Sequence, residues 1–346
     1  MKKIIFHIDI NAFFSTVEEI LNPSLSTKPI GICGSNKKSV LSTCNYVARQ
    51  YGVRAAMKSY IAKELCPNII FIEPKHNVYK KVSQQFMEHI AEKYTNQIEV
   101  ISIDECFVDV TNILEKYHNN YLILANQIQK DIFKKMSLPI SIGISDQKLF
   151  AKIASDFKKP MGISTLFTNE IQEKLWPLNI DNYVGIGKTK IAELNKLGIY
   201  TLDDFRNYDN SSNLEKLLKN QYKKILNTIN GNFIDDEVEV DKMINKSISK
   251  ARTFVKEEYD IERILEQMNH VVNEIIYTLN KYNLKGYTFT VGTKYLDKKL
   301  VSKSITFKDE IDTNNIMNIA KQLFIELWNE SPIIYITIKI GKLNTR

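Results

Sequence analysis

Short apolar runs recur along residues 1–165, separated by stretches whose apolar positions fall three and four apart. The runs at 3–10, 29–33, 39–43, 98–103, 106–110 and 139–144 are rich in Ile, Val and Phe and read as strands. Helical spacing covers about 12–20, 59–67, 77–95, 121–136 and 146–157, and the segment SYIAKELCP stops at its proline. Strands with helices packed outside them predict an α+β sheet domain over 1–165. From 166 to 232 the pattern changes to short helices around VGIGKTKIAELNKLGIYTLDDF, which predicts a tight hairpin between two helices. An acidic tether at 233–242 follows. Residues 243–346 then read as β-α-β-β-α-β, with strands at 246–254, 286–295, 300–307 and 333–341 and helices at 259–280 and 312–328.

A chain of 346 residues exceeds the size of one ordinary core, so two to four domains are expected. An apolar content of 44% supplies those cores and excludes whole-chain disorder. Cys33, Cys44, Cys66 and Cys106 show no CxxC spacing and sit in or beside apolar segments, which predicts buried thiols in a reducing cytoplasm. The start MKKIIFHIDI carries an aspartate where a leader would be apolar, and no stretch approaches 18 apolar residues; a soluble protein with no membrane partner is expected. The formal charge of +7 is modest, but its distribution is uneven. After the acidic DDEVEVD, the chain carries Lys242, Lys246, Lys250, Arg252 and Lys256 before any further carboxylate. That run is either a solvated lysine face or a set of backbone-phosphate contacts.

The chemistry concentrates in two of the apolar runs. Asp9 ends FHIDI, and Asp104 and Glu105 lie in ISIDECFVDV, about 95 residues later. Carboxylates are seldom buried unless paired or metal-bound, and three oxygen ligands on two central strands suit Mg2+ with a phosphorylated substrate. Adjacent strand residues point to opposite faces, so Glu105 has to come from a bulged or terminal strand position, or reach round, to join the other two. The glycines of GIG allow close backbone approach where a helix begins, an arrangement suited to a phosphate, although a plain helical turn would look the same. Phe13 and Phe14, an aromatic pair at a helix start, read as core. No GxGxxG or Walker A pattern is present, and the five histidines are scattered without metal-ligand spacing.

The motifs HIDINAFFSTVEE, STCNYVARQYGVRAAM, SIDECFVDVT, SIGISDQKLFAKIASDFKKPMG and VGIGKTKIAELNKLGI occur in an order and at separations that resemble the Y-family DNA polymerases, in particular their bacterial DNA polymerase IV branch. The resemblance spans nearly the whole chain. It implies a right-hand architecture: palm and small fingers over 1–165, a helical thumb with a helix-hairpin-helix over 166–232, the acidic tether, and a little finger over 243–346. It also implies error-prone, template-directed translesion DNA synthesis without proofreading.

By the same resemblance Asp9, Asp104, Glu105 and the carbonyl of Ile10 hold two Mg2+ ions, with Mn2+ as a substitute. Tyr46, Arg49 and Lys159 take the triphosphate of a deoxynucleoside triphosphate, and Phe14 is the steric gate against the ribose 2′-hydroxyl. Phe13 and Ser42 lie beside the nucleotide, Phe13 also as core. Gly185, Gly187, Lys188 and Lys190 in the thumb, and Lys246, Lys250 and Arg252 in the little finger, contact primer-template DNA. Arg54 reads more readily as a structural hydrogen bonder. Cys44 and Lys58 depart from the residues common in the family. A sliding clamp is a further partner in many relatives, but IKIGKLNTR offers no clear counterpart of their terminal peptide, and KQLF at 321–324 falls inside a predicted helix. A monomer is expected. Two other readings stay open: a catalytically silent DNA-binding relative, and an untemplated nucleotidyl transferase or cyclase on the same palm.

Overall fold

A computed structural model describes residues 3–36, 39–232, 237–240, 246–296 and 299–345. Most of the expected tether, and Lys242 with it, lies outside these residues. The chain divides into two compact units, Met1–Lys242 and Met243–Arg346.

The strands of the first unit are β1 (Ile5–Ile10), β2 (Ile30–Ile32), β3 (Thr43–Cys44), β4 (Ile70–Ile72), β5 (Ile98–Val100), β6 (Glu105–Asp109), β7 (Ile140–Ser145) and β8 (Ile163–Thr165). Its helices are α1 (Phe13–Leu21), α2 (Tyr46–Gln50), α3 (Ser59–Leu65), α4 (His76–Lys93), α5 (Tyr121–Met136), α6 (Lys148–Asp156), α7 (Lys188–Lys196), α8 (Leu202–Arg206), α9 (Ser211–Leu218) and α10 (Asn220–Ile229). A five-stranded sheet runs β5-β6-β1-β7-β8, with β1 central and antiparallel to both β6 and β7. Alternation along β1 explains why it is central. Phe6, Ile8 and Ile10 face a core shared with Cys106, Val108, Ile142 and Ile144 and with Tyr79, Phe86 and Ile90 of α4 and Ile128 and Ile132 of α5. The opposite face of β1 carries Ile5, His7 and Asp9 and is covered by α6. Gly143 sets how closely that helix lies: a Cβ there would stand 1.9 Å from the Ala151 carbonyl oxygen and 2.4 Å from the Ser155 nitrogen.

A smaller sheet, β3-β2-β4, has its own core of Cys33, Leu41, Cys44, Val53 and Cys66. The strand expected over 39–43 shrinks to Thr43–Cys44 plus an isolated bridge between Val40 and Lys58, because the chain turns into α2 immediately after it. Cys44 is fully buried and donates to the Val53 carbonyl (3.4 Å), while Lys58 precedes α3 with its ammonium over the Tyr60 ring. Helices α7–α10 pack with residues 166–186 around Leu175, Leu194, Phe205 and Leu214. The first arm of the expected helical hairpin is a single 3-10 turn, Ile180–Asn182; α7 is the second.

The second unit contains β9 (Ser247–Glu258), α11 (Ile261–Lys281), β10 (Leu284–Lys285), β11 (Thr288–Tyr295), β12 (Val301–Thr306), α12 (Ile316–Leu327), β13 (Ile333–Gly341) and β14 (Asn344–Thr345). Its main sheet is antiparallel in the order β12-β11-β13-β9. One face, with Ile336, Ile338, Ile340, Phe289 and Val291, packs on α11 and α12. The other is hydroxyl-rich: the register aligns Ser249, Lys339, Thr290 and Ser304 in one row and Ala251, Thr337, Gly292 and Ser302 in the next. Leu323 and Phe324 of KQLF are fully buried in this core. Among the described residues no helix is long and apolar enough to cross a membrane.

Candidate active site

The end of β1, the turn before β6, the start of α1, the β3–α2 junction and the loop after α6 meet around a cavity of about 190 Å3. Asp9, Ile10, Asp104, Phe13, Phe14, Ser42, Tyr46, Arg49 and Lys159 all line it, with Ala12 and Thr43. Ala12 sits in the left-handed region (φ 49°) and turns the chain from strand into helix within three residues of Asp9. That backbone costs a non-glycine residue about 1–2 kcal/mol, strain of the kind that gathers at functional sites.

The carboxylates reach the site by different routes. Asp104 belongs to no strand. It occupies the turn before β6, where its carbonyl accepts the Ile10 amide (2.9 Å) and its Oδ1 accepts from the Ser102 hydroxyl (2.5 Å). Glu105 is the first residue of β6 and pairs across the ladder with Asp9, so the two side chains share the face under α6. The terminal strand position foreseen for Glu105 is thus the one it has. Its Oε2, however, contacts Lys152 Nζ (2.6 Å) and His7 Nε2 (3.2 Å), and Glu105 does not line the cavity. Among the described residues no three acidic, histidine or cysteine side chains are gathered into a ready metal cluster.

Burial raises the Asp9 carboxyl above its usual range, against the pull of Lys159, whose Nζ lies 2.9 Å from Asp9 Oδ1 and 2.8 Å from Asp156 Oδ1. Burial works against charge on Lys159 too, but the two carboxylates outweigh it and hold the ammonium above its ordinary value. For Glu105 burial pushes upward, yet the nearby His7 and the bond and charge of Lys152 bring it down to about 2. The donor set of the site is hard oxygen throughout: two carboxylates at the cavity, a third next to them in the ladder, and the Ile10 carbonyl. Such a set fits Mg2+ or Mn2+ better than a soft metal.

The α2 end of the cavity has a different character. Asn45 caps α2 through its side chain, bonding the Ala48 amide (3.0 Å), and so projects Tyr46 and Arg49 inward. The Arg49 guanidinium lies 4.6 Å from the Tyr46 ring centre and donates to the Cys44 carbonyl (3.2 Å). The Tyr46 hydroxyl is buried and has no hydrogen-bond partner among the described residues. A buried hydroxyl beside a guanidinium fits an incoming anionic oxygen. Arg54 instead donates to the carbonyls of Arg49 and Val53, the structural role expected of it. The half-buried Phe14 stacks on Tyr79 (centroids 4.4 Å, 16° between planes) with His76 edge-on, so its ring is fixed; Phe13 is 2% exposed and belongs to the core.

Elsewhere the expected residues are distributed less simply. Gly185 adopts φ +107°, and among the described residues neither it nor Gly187 has an atom within 4 Å of where a Cβ would stand, so the approach to the start of α7 is open. Lys188 is exposed, while Lys190 bonds Gln221. In β9, Lys250 and Arg252 share the strand face of Ile248, which packs toward α11, and Arg252 pairs with Glu274 of that helix. Lys246 is exposed, while Lys250 and Arg252 are half-buried. Among the described residues, Lys339 and Lys294 are exposed on the open sheet face; run-counting along the sequence passed over them because they lie far from the basic stretch. Sequence reasoning also missed His7, Lys152 and Asp156; a motif search for ligands does not find residues that touch ligands.

Residues 8–156 match the impB/mucB/samB family and residues 245–346 its C-terminal domain. The chain is similar to the DNA polymerase IV of Ureaplasma parvum serovar 3, 37% identical over 345 residues that cover 99% of this chain and 95% of the relative. The DNA polymerase IV of Oceanobacillus iheyensis is 32% identical over 99% of this chain and 82% of its own length. Among solved structures, a Y-family DNA polymerase chimera of Dbh and Dpo4 superposes with a TM-score of 0.88 at 30% identity, over 99% of this chain and 100% of that one. DinB from Sulfolobus solfataricus superposes with a TM-score of 0.67, also at 30% identity, over 99% and 100%.

Proposed function

Since the chain belongs to the impB/mucB/samB family of Y-family polymerases and is a DNA-directed DNA polymerase of the translesion type, we propose that the cavity between β1 and α2 is its nucleotidyl-transfer site, with primer-template DNA and a deoxynucleoside triphosphate as substrates. The convergence of Asp9 and Asp104 with Tyr46, Arg49 and Lys159 on one cavity carries this reading. Asp9, Asp104, Glu105 and the Ile10 carbonyl would hold two divalent ions. Such ions, when bound, acidify the primer 3′-hydroxyl and offset charge on the triphosphate. Arg49 offers a planar fork and Tyr46 an unspent hydroxyl to the β and γ phosphate oxygens. Lys159, now shared between Asp9 and Asp156, adds a third cationic or polar contact as the phosphates enter. Phe14, braced by Tyr79, occupies the volume a ribose 2′-hydroxyl would need.

DNA contact is proposed for the open start of α7 and, in the second unit, for Lys246 together with Lys294 and Lys339 on the hydroxyl-rich face, in place of Lys250 and Arg252. Such contacts suit a copying enzyme, because phosphates position without specifying sequence. Primer extension with and without Mg2+, on undamaged and lesion-bearing templates, tests the reading: extension should require metal and follow template identity. Extension that ignored the template would point to the untemplated transferase instead, and none from wild type to the silent binder. Asp104→Asn should lower extension at least about a hundredfold with DNA affinity kept, since lost transition-state electrostatics typically cost about 3 kcal/mol or more.

A further inference from the structure

Glu105 is held from behind. Its Oε2 receives Lys152 Nζ at 2.6 Å; His7 Nε2 stands 3.2 Å from the same oxygen but has no hydrogen-bond partner among the described residues. His7 is 1% exposed, and its Nδ1 meets the Ser155 hydroxyl at 2.9 Å. Ser155, also buried, donates to the Lys152 carbonyl (2.7 Å), so the His7 ring and the backbone that carries Lys152 are tied to each other. The Phe107 ring packs against the imidazole at 5.1 Å. The absence of a side chain at Gly143 brings α6 close enough for all of this. Long side chains rarely keep a single geometry on a protein surface; here a buried ring and a helix pressed on the sheet supply it.

Resting on the proposed metal-binding role of Glu105, we infer that Lys152 is its positioning residue: it fixes Oε2 and leaves Oε1 as the oxygen that takes a divalent ion, with the buried His7 ring packed behind it. Partners behind a metal ligand set its direction, and their removal typically lowers metal affinity by about 10–100-fold. Lys152 is the residue to test, because methionine keeps the stem and removes the ammonium. Its side chain also borders a cleft of about 760 Å3 between α6 and the α7–α10 helices, so DNA affinity needs its own measurement.

The experiment titrates Mn2+, followed by electron paramagnetic resonance, into the full chain saturated with a primer-template that ends in a dideoxynucleotide; DNA affinity is measured separately by fluorescence anisotropy. Lys152→Met should weaken Mn2+ binding about tenfold or more, and Lys152→Arg should restore it. In steady state the Mg2+ concentration for half-maximal extension should rise, and kcat should recover at high Mg2+, a split that a merely structural role would not produce. Unchanged Mn2+ binding with weakened DNA affinity would make Lys152 a DNA contact and overturn the inference. Tighter Mn2+ binding would overturn it the other way, making Lys152 a competitor for Glu105. Glu105→Gln separates the two levels: if it leaves Mn2+ binding intact, the metal-binding role itself fails; if it weakens binding while Lys152→Met does not, only the positioning role fails.

Discussion

Gly143→Ala is the smallest change expected to damage the site, and it touches no candidate ligand. The new Cβ would stand 1.9 Å from the Ala151 carbonyl oxygen and 2.4 Å from the Ser155 nitrogen, both helix backbone. Ordinary contact begins near 3.4 Å, so α6 has to retreat by about 1.5 Å, and no rotamer change relieves a clash with backbone. Overpacking a filled interior costs typically about 1–3 kcal/mol, and a backbone clash on a fully buried strand belongs at the upper end. The displaced helix carries Lys152, Ser155 and Asp156, so the molecules that still fold lose the supports of Glu105 and Lys159. A 1 Å misplacement of reacting groups is worth about a hundredfold in rate. Thermal melting and single-turnover primer extension at a temperature where the variant is folded measure the two effects separately. A variant with wild-type melting and wild-type extension would show that the α6–β7 contact does not set the site.

Phe14→Ala should raise the kcat/KM ratio of ribonucleotide over deoxynucleotide by about 10–200-fold, the usual worth of one excluded group in an apolar pocket; an unchanged ratio would return Phe14 to the core. Arg49→Lys should raise nucleotide KM about tenfold while DNA affinity holds, because a lysine keeps the charge but loses the fork; a fall in DNA affinity alone would place Arg49 on the DNA. Asp131 joins α5 to α4 through His89 (2.6 Å), Lys93 (2.5 Å) and Tyr94 (3.2 Å). Burial pushes its carboxyl up, but these partners bring it down to about 2. A depressed carboxylate stabilises the fold above its unfolded pKa near 4 and stops doing so as pH falls through the folded value. Asp131→Asn should therefore cost stability at neutral pH, by no more than about 1 kcal/mol at this partly solvated site, and flatten the loss of stability between about pH 4 and 2; an unaltered acid limb in urea titrations run at several pH values would refute it.

Patterns of period two and 3.6 carried most of the fold. Helix 121–136 is read from the sequence at its observed bounds, and all six main elements of the second unit occur where the pattern puts them. What was lost were the short elements. Strands β4 and β8 are three residues each, and their pairing is parallel, supplied by a distant neighbour and not by a turn. Helix α2 is five residues long and is held by the Asn45 cap. The basic run in β9 is hard to place for a related reason. A basic run identifies charge but not strand face, and Lys250 and Arg252 alternate in phase with the buried Ile248.

Helix α6 is the most instructive case, because its sequence looks ordinary. Lys148, Lys152, Ser155 and Asp156 recur at helical spacing, and in an amphipathic helix such a stripe is expected to face water. Here Lys148, Lys152 and Ser155 face the sheet, and only Asp156 at the helix end stays exposed. Lys148 reaches Glu99 (2.8 Å, both nearly buried), Lys152 reaches Glu105, Ser155 reaches His7, and Asp156 holds Lys159. The register explains the match: Glu99, Phe107 and His7 lie side by side across β5, β6 and β1, and Glu105 and Asp9 form the next row toward the cavity. Desolvating these charges is tolerable only if each meets its partner, so the stripe and the row fix the helix in one register along the sheet. A polar interface of this kind adds little to stability compared with an apolar one of the same size. What it provides is a defined orientation for the carboxylate that begins β6 and for the lysine that follows α6, and both belong to the site where transfer is proposed.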